Sequence, residues 1–267
     1  FKGCPLKCKW CHNPESFSFA KEIFVNYDLC TNCLKCTNLC SANIIEGGKR
    51  RFIRENCTLC GKCEDVCPNS VFETVGKELS AEEIAQEVLK DEIFMKGSGG
   101  GVTFSGGEPL MQKDIDGFIR KVKQTGLPVK LDTNGSYPDK LRALVSEGLV
   151  DYVAMDIKNS PETYAFTAGT EKLDIEAVQK SVAYLKEKHV PFEFRTTVVS
   201  ELHSEEDMLE IGNMIQGASK YFLQSFVASE QVPTENFHAP SMETLMGYQR
   251  LLKPFVPDTF IRGQESI

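Results

Sequence analysis

Eleven cysteines, none after residue 67, fall into three groups. Cys4, Cys8 and Cys11 follow the spacing Cys-x-x-x-Cys-x-x-Cys. Cys30, Cys33, Cys36 and Cys40 follow Cys-x-x-Cys-x-x-Cys-x-x-x-Cys, as do Cys57, Cys60, Cys63 and Cys67, and Pro68 closes the last run. Thiolates at such spacings hold iron–sulfur clusters, and each run of four supplies a full ligand set. The group of three differs in kind. A four-iron cluster held by three thiolates keeps one iron without a protein ligand, and that iron can bind a reactant. The pattern reads as an electron path that ends at a reactive iron.

Disulfides fit poorly. The count is odd, the chain is far larger than a disulfide-stapled miniprotein, and no signal-peptide pattern lies ahead of the cysteines. Zinc knuckles use one or two Cys-x-x-Cys pairs, not three in a row closed by Cys-Pro. The two longer runs have the spacing of bacterial two-cluster ferredoxins, although Ser41 stands where that pattern has proline. In those proteins the fourth cysteine of each run ligates the other cluster. The spacing therefore predicts one cluster on Cys30, Cys33, Cys36 and Cys67, and another on Cys57, Cys60, Cys63 and Cys40. Such clusters are damaged by oxygen, so a reducing, anaerobic cytoplasm is expected.

The composition, 41% hydrophobic and 25% charged, suits an ordinary soluble fold with a proper core. No stretch nears the roughly 20 apolar residues of a membrane span. A net charge of −8 argues against non-specific nucleic-acid binding, and Lys49-Arg50-Arg51 reads as a solvated loop between cluster motifs. Composition changes near residue 79. Residues 20–78 hold eight cysteines and few periodic segments, as expected of a small insert that needs its metal for stability. Residues 1–19 are expected to belong with residues 79–267. No sequence repeat is evident beyond the two cysteine runs.

Ser80 and Glu83 make a capping box, with Leu79 placed as a hydrophobic staple and Ile84, Val88 and Leu89 on one helical face. Apolar runs at 102–104, 129–131, 150–155, 192–199, 221–226 and 259–261 predict strands. Helical stretches at 113–125, 138–147, 174–188, 204–216 and 242–252 lie between them. This alternation predicts a parallel sheet with crossover helices, open or curled into a barrel, whose site gathers at the carboxyl ends of the strands. Polar motifs fall at those ends. They are Ser105-Gly106-Gly107-Glu108-Pro109, Asp132-Thr133-Asn134-Gly135, Asp156-Ile157-Lys158, and Arg195 within its strand. A Gly-Gly pair permits close approach to a ligand, and the carboxylate after it can hold an ammonium group. Gly97 to Gly101 is not a phosphate loop, since no Gly-Lys-Ser/Thr follows.

The chain resembles the radical S-adenosylmethionine (SAM) superfamily, and within it the activating enzymes of glycyl radical enzymes that carry a ferredoxin-like insert. The resemblance rests on Gly3-Cys4-Pro5-Leu6-Lys7-Cys8-Lys9-Trp10-Cys11 with Asn13-Pro14-Glu15-Ser16, and on Gly101-Val102-Thr103-Phe104-Ser105-Gly106-Gly107-Glu108-Pro109-Leu110. It implies a partial (β/α)6 barrel with an inserted domain binding two 4Fe–4S clusters, three clusters in all, and SAM. It implies that Cys4, Cys8 and Cys11 ligate the catalytic cluster and that Trp10 lies against the adenine. By resemblance, Gly106, Gly107 and Glu108 receive the methionine amino group, and Lys158 and Arg195 hold the ribose and carboxylate. Asp132, Thr133, Met155 and Asp156 match residues that surround a monovalent cation, Na⁺ or K⁺, beside the SAM carboxylate.

The implied activity is reductive cleavage of SAM to a 5′-deoxyadenosyl radical that takes hydrogen from a backbone glycine of a partner glycyl radical enzyme. A ferredoxin or flavodoxin would donate the electron, and a monomer is expected. The alternatives are a radical SAM enzyme acting on a small molecule or peptide and, from another class, a ferredoxin-type electron carrier. A carrier has no use for Gly106-Gly107-Glu108 or for Asp132 and Asp156. Better-known activators have a histidine in a Leu-Pro-Tyr-His segment near the sixth strand, where this chain reads Leu223-Gln224-Ser225-Phe226. Nothing is carried over there. His189, His203 and His238 are expected at the surface or in packing, and His12 flanks the cluster loop.

Overall fold

The computed structural model describes residues 1–263, which divide into two units. The smaller comprises Lys2 and Ser18–Glu78. In it, β1 (Glu22–Val25) pairs antiparallel with β4 (Phe72–Val75), and β2 (Asn43–Glu46) forms a hairpin with β3 (Lys49–Phe52). Gly47 and Gly48 make the hairpin turn with φ of 56° and 75°, a region closed to most side chains. One short helix, α1 (Lys62–Val66), carries Cys63. The core is small: Ile23, Val25, Ala42, Phe52, Val71 and Phe72 pack around Cys36 and Cys63.

The repeat in this unit extends beyond the cysteines. β1 is followed by one residue, a 3₁₀ turn (Tyr27–Leu29) and Cys30; β3 is followed by one residue, a 3₁₀ turn (Arg54–Asn56) and Cys57. Leu34 and Gly61, each two residues before the third cysteine of its run, are both left-handed, with φ of 59° and 75°. Side chains differ between the halves, which hides the repeat from a sequence comparison.

The larger unit comprises Phe1, Gly3–Phe17 and the described residues from Leu79 on. Its elements are α2 (Ala81–Leu89), α3 (Glu92–Ser98), β5 (Val102–Phe104), α4 (Ile115–Gln124), β6 (Val129–Thr133), α5 (Pro138–Ser146) and β7 (Tyr152–Asp156). They continue with α6 (Tyr164–Thr167), α7 (Ile175–Lys186), β8 (Phe192–Val198), α8 (Glu205–Ile215), β9 (Tyr221–Ser225), α9 (Met242–Leu252) and β10 (Thr259–Arg262). All six strands are parallel, in the order β10-β9-β8-β7-β6-β5. The order never reverses, so the sheet is wound in one direction and has no switch point. Its functional end is the row of carboxyl ends.

The six apolar runs and five helical stretches of the sequence all form, within two residues at each end. Ile115, Phe118, Ile119 and Val122 bury one face of α4, the spacing that amphipathicity requires. The Ser80–Glu83 capping box forms on α2, and Ser204 with Asp207 makes a second on α8. Leu79, the expected staple, stays 53% exposed. The helices α3 and α6 were not expected. In α3 the large side chains Ile93 and Phe94 face outward, so no apolar stripe announces it. Leu131, Val153, Met155, Phe194, Tyr221 and Leu223 are wholly buried in the sheet, each contributing about 1.5–3 kcal/mol.

Candidate active site

The loop that carries Cys4, Cys8 and Cys11 is held in place by backbone bonds at both ends. Gly3 N donates to Ser16 O (2.8 Å), Cys4 N to Phe17 O (3.2 Å) and Lys7 N to Ala168 O (2.9 Å). From the loop after β5, Gly107 N donates to Phe1 O (2.8 Å) and Glu108 N to Gly3 O (2.7 Å). A Cβ on Gly106 would strike the Phe1 backbone, and one on Gly107 would strike the Gly3 carbonyl. The Gly-Gly pair is thus required first by the cysteine loop, which crosses directly over it.

The three cysteines, Trp10, Gly106 and Gly107 line one cavity with Asp132, Asp156, Lys158 and Arg195. Its volume is about 200 Å³. The ends of β5, β6, β7 and β8 each supply one part. Arg195 Nε donates to Asp156 Oδ1 at 2.9 Å, and its Nη1 to Asp132 Oδ2 at 3.3 Å. Lys158 Nζ donates to Asp156 Oδ2 at 3.0 Å, and Ser105 Oγ to Asp132 Oδ2 at 3.3 Å. Two carboxylates are thus met by three cations, Arg195, Lys158 and Lys130, with the guanidinium between the carboxylates. Burial pushes the Asp156 carboxyl up, but the Lys158 and Arg195 charges outweigh it and hold the group below its ordinary range. Asp132 Oδ1 is buried, receives no hydrogen bond, and lies 3.4 Å from Lys130 Nζ.

Burial pushes the Cys4 thiol up to about 11 and Cys8 to about 12, and raises Cys11 as well; the Lys158 charge opposes this at all three. Asn134 Nδ2 donates to Cys4 Sγ at 3.7 Å, a contact the sequence reading did not assign. Thr197, two residues beyond Arg195 on β8, also lines the cavity.

Glu108 lies elsewhere. It is wholly buried and absent from the cavity wall; its carboxylate accepts from Leu110 N (3.1 Å), Thr133 Oγ1 (2.9 Å) and Asn134 N (2.8 Å). Those bonds tie the loop after β5 to the loop after β6. Met155 is buried in the sheet core, its side chain against Gly135. Trp10 is 4% exposed, with His203 edge-on at 6.2 Å and Lys158 Nζ 5.9 Å from its ring. His203 is a packing residue: Nδ1 accepts from Val199 N at 3.1 Å, which leaves Nε2 to donate to Lys158 O at 3.0 Å. His189 and His238 are exposed and pair with Glu187 and Glu201. His12 lines the cavity, stacks on Phe226 at 5.6 Å and meets Val227 O at 2.6 Å.

The radical SAM superfamily model matches residues 1–215. The chain is 37% identical over 223 residues to the trans-4-hydroxy-L-proline dehydratase activating enzyme of Clostridioides difficile, covering 81% of this chain and 72% of that one. The chain belongs to the radical SAM superfamily, among its glycyl radical enzyme activating enzymes. This radical SAM chain is also 39% identical over 166 residues to the benzylsuccinate synthase activating enzyme of Thauera aromatica, covering 59% of this chain and 50% of that one. The fold is shared with a crystallised domain of the pyruvate-formate lyase-activating enzyme of Bacteroides vulgatus. The TM-score is 0.50 at 18% identity, over 61% of this chain and 99% of that one.

The radical SAM cavity suits the cluster that the superfamily implies. Burial raises all three thiols and Lys158 offsets only part of that rise, so iron is the further counter-charge that would ionise them. In the smaller unit, Cys36 and Cys63 are buried, whereas Cys33 and Cys60 are exposed. The cysteine charges that act on Cys36 come from Cys30 and Cys67, and those on Cys63 from Cys40 and Cys57. Each third cysteine is thus grouped with the last cysteine of the other run. Among the described residues, no three His, Cys, Asp or Glu converge on a site for a single metal ion. No described helix is long and apolar enough to cross a membrane.

Proposed function

We propose that this chain activates a glycyl radical enzyme by reductive cleavage of SAM at the cavity between the cysteine loop and the strand ends. One observation carries the reading: Cys4, Cys8 and Cys11 share that cavity with the Asp132–Arg195–Asp156–Lys158 array. Cys4, Cys8 and Cys11 would hold the cluster, which when bound would supply the one electron for cleaving the S–C5′ bond of SAM to methionine and a 5′-deoxyadenosyl radical able to take hydrogen from a partner's glycine.

The chain's own residues bind and orient. The cations of Lys158 and Arg195 suit the methionine carboxylate and ribose, and the backbone at Gly106 and Gly107 suits the amino group. Trp10 offers a rigid face to the adenine. Glu108 positions the two loops. Asn134 directs an N–H at Cys4 Sγ, which favours the thiolate. Asp132 Oδ1 could accept a Na⁺ or K⁺ completed by Thr133, Asp156 and Met155, in competition with Arg195 for the same carboxylates.

Residues 20–78 are proposed to be a ferredoxin-like insert with two 4Fe–4S clusters, wired as the grouping of Cys36 and Cys63 suggests. The insert would pass electrons from a ferredoxin or flavodoxin in an anaerobic cytoplasm, and the chain would act as a monomer. The test is to mix the reconstituted chain, SAM and reductant with candidate glycyl radical enzymes, beginning with a hydroxyproline dehydratase. A glycyl radical signal, with deuterium passing from labelled glycine into 5′-deoxyadenosine, supports the reading. Label arriving only from a small molecule or a short peptide refutes it.

A further inference from the structure

One side chain of the smaller unit is out of place among its neighbours. Arg50 is only 7% exposed, and its Nε and Nη2 are buried without a protein acceptor. Its Nη1 reaches Asn43 Oδ1 at 3.3 Å, and its guanidinium carbon sits 4.8 Å and 5.0 Å from the Tyr27 and Phe72 rings. No carboxylate neutralises it among the described ion pairs. A desolvated, unpaired guanidinium is costly, and aromatic faces offset only part of that cost. Lys49, Arg50 and Arg51, expected as a solvated basic loop, lie instead on strand β3; Lys49 and Arg51 are exposed and Arg50 is buried.

The pseudo-repeat makes the oddity quantitative. Counting back through turn and strand from Cys57 and from Cys30, Arg50 on β3 corresponds to Ile23 on β1. Both are buried, at 7% and 2% exposure, so the same structural position holds a cation in one half and an aliphatic group in the other. They also neighbour different cysteines. Arg50 N accepts no slack: it donates to Asn32 Oδ1 at 2.9 Å, in the loop between Cys30 and Cys33. The Tyr27 ring under its guanidinium belongs to the residue whose carbonyl accepts from Cys30 N at 2.9 Å. Ile23 instead lines a cavity with Cys57 and Leu59. Arg54 lies on that side too, but it is part-exposed and paired with Glu22 at 3.4 Å.

We propose that Arg50 makes the two insert clusters unequal, holding the cluster on Cys30, Cys33, Cys36 and Cys67 at the higher reduction potential. The inference rests on the two-cluster reading of the insert. Reduction adds one negative charge to a cluster, and a buried cation with unspent donors stabilises that charge, whereas an aliphatic neighbour does not. Electrons shared between the two clusters then collect on the Arg50 side. Arg50 is a tuning residue; were it only packing against the two rings, Arg50→Met would leave the higher couple unmoved.

Redox titration of the full reconstituted chain, followed by electron paramagnetic resonance, tests this. The signal that responds to SAM belongs to the Cys4 group and is set aside. At one ambient potential, the reduced-to-oxidised ratios of the two remaining clusters should differ by about tenfold or more, about 59 mV for one electron. Arg50→Met should move only the higher couple, bringing the two together, and Arg50→Lys should restore most of the gap. Coincident couples in the unaltered chain would overturn the proposal even if the Met variant failed to assemble. So would an unshifted couple in an Arg50→Met chain with full iron content. Two clusters missing from the unaltered chain would refute the insert reading itself, a distinct result seen first in the iron analysis.

Discussion

Arg195 and Asp156 are register partners on the adjacent parallel strands β8 and β7, and the guanidinium Nε donates to the carboxylate at 2.9 Å. The same guanidinium reaches Asp132 on β6, so one planar side chain spans three strand ends. Lysine cannot reproduce that fork. Arg195→Lys should weaken SAM binding by about tenfold or more while leaving cluster content unchanged. Isothermal titration with SAM, beside an iron assay, checks both parts; unaltered affinity would remove Arg195 from the binding site.

The cation proposal separates from this one by salt. If Asp132 Oδ1 holds Na⁺ or K⁺, SAM affinity should depend on which monovalent cation is present at constant ionic strength. Asp132→Asn should abolish that dependence. Equal affinities in Na⁺, K⁺ and a bulky organic cation would leave Asp132 as a partner of Arg195, Lys130 and Ser105 only.

Gly107 is held without a side chain by the Gly3 carbonyl above it. Gly107→Ala should therefore displace the loop bearing Cys4, Cys8 and Cys11 and spare the insert. Iron should fall from about twelve to about eight atoms per chain, with four-iron stoichiometry per cluster. Loss of all iron would show instead that the substitution unfolds the protein.

Glu108 gives a pH prediction. Burial raises its carboxyl from an ordinary 4.5 to about 7, against the pull of three hydrogen-bond donors. A group that binds its proton more tightly when folded contributes stability that is full below the unfolded value and is lost as pH rises through the folded one. Stability from this residue should thus decline between about pH 4.5 and about pH 7. Anaerobic denaturant titrations of Glu108→Gln should lack that decline, and an unchanged slope would exclude Glu108 as its source.

Much of this was legible in the sequence because it is local or periodic. The cysteine spacings, the strand–helix alternation and the polar residues at strand ends are all short-range patterns, and the strands and helices form where the pattern put them. What escaped depends on contacts between distant segments. Asn134 meets Cys4 across the fold, and Glu108 turns from the cavity because loops after β5 and β6 need its oxygens. His203 packs, as expected, but that its partners are Trp10 and the Lys158 carbonyl had no local signal. Arg50 looked like part of a solvated basic run, since only the pairing of β3 with β2 and the repeat with β1 reveal that it points inward.

The wiring of the insert can be read by subtraction. With Cys40 grouped beside Cys57 and Cys63, Cys40→Ala should disturb the cluster of the second run and spare that of the first. Double substitution of Cys57 and Cys60 should then abolish turnover with a protein donor but not with a small diffusible reductant. Equal activity with both donors would show that electrons bypass the insert.

The central claim is that Cys4, Cys8 and Cys11 hold the cluster that cleaves SAM. The direct measurement quantifies methionine and 5′-deoxyadenosine formed by the reconstituted chain under a one-electron reductant, beside the Cys4→Ala, Cys8→Ala, Cys11→Ala triple variant. The unaltered chain should form both products in equal amounts. The variant should form neither, while keeping about eight irons on the insert. SAM cleavage by the triple variant at the rate of the unaltered chain would contradict the account.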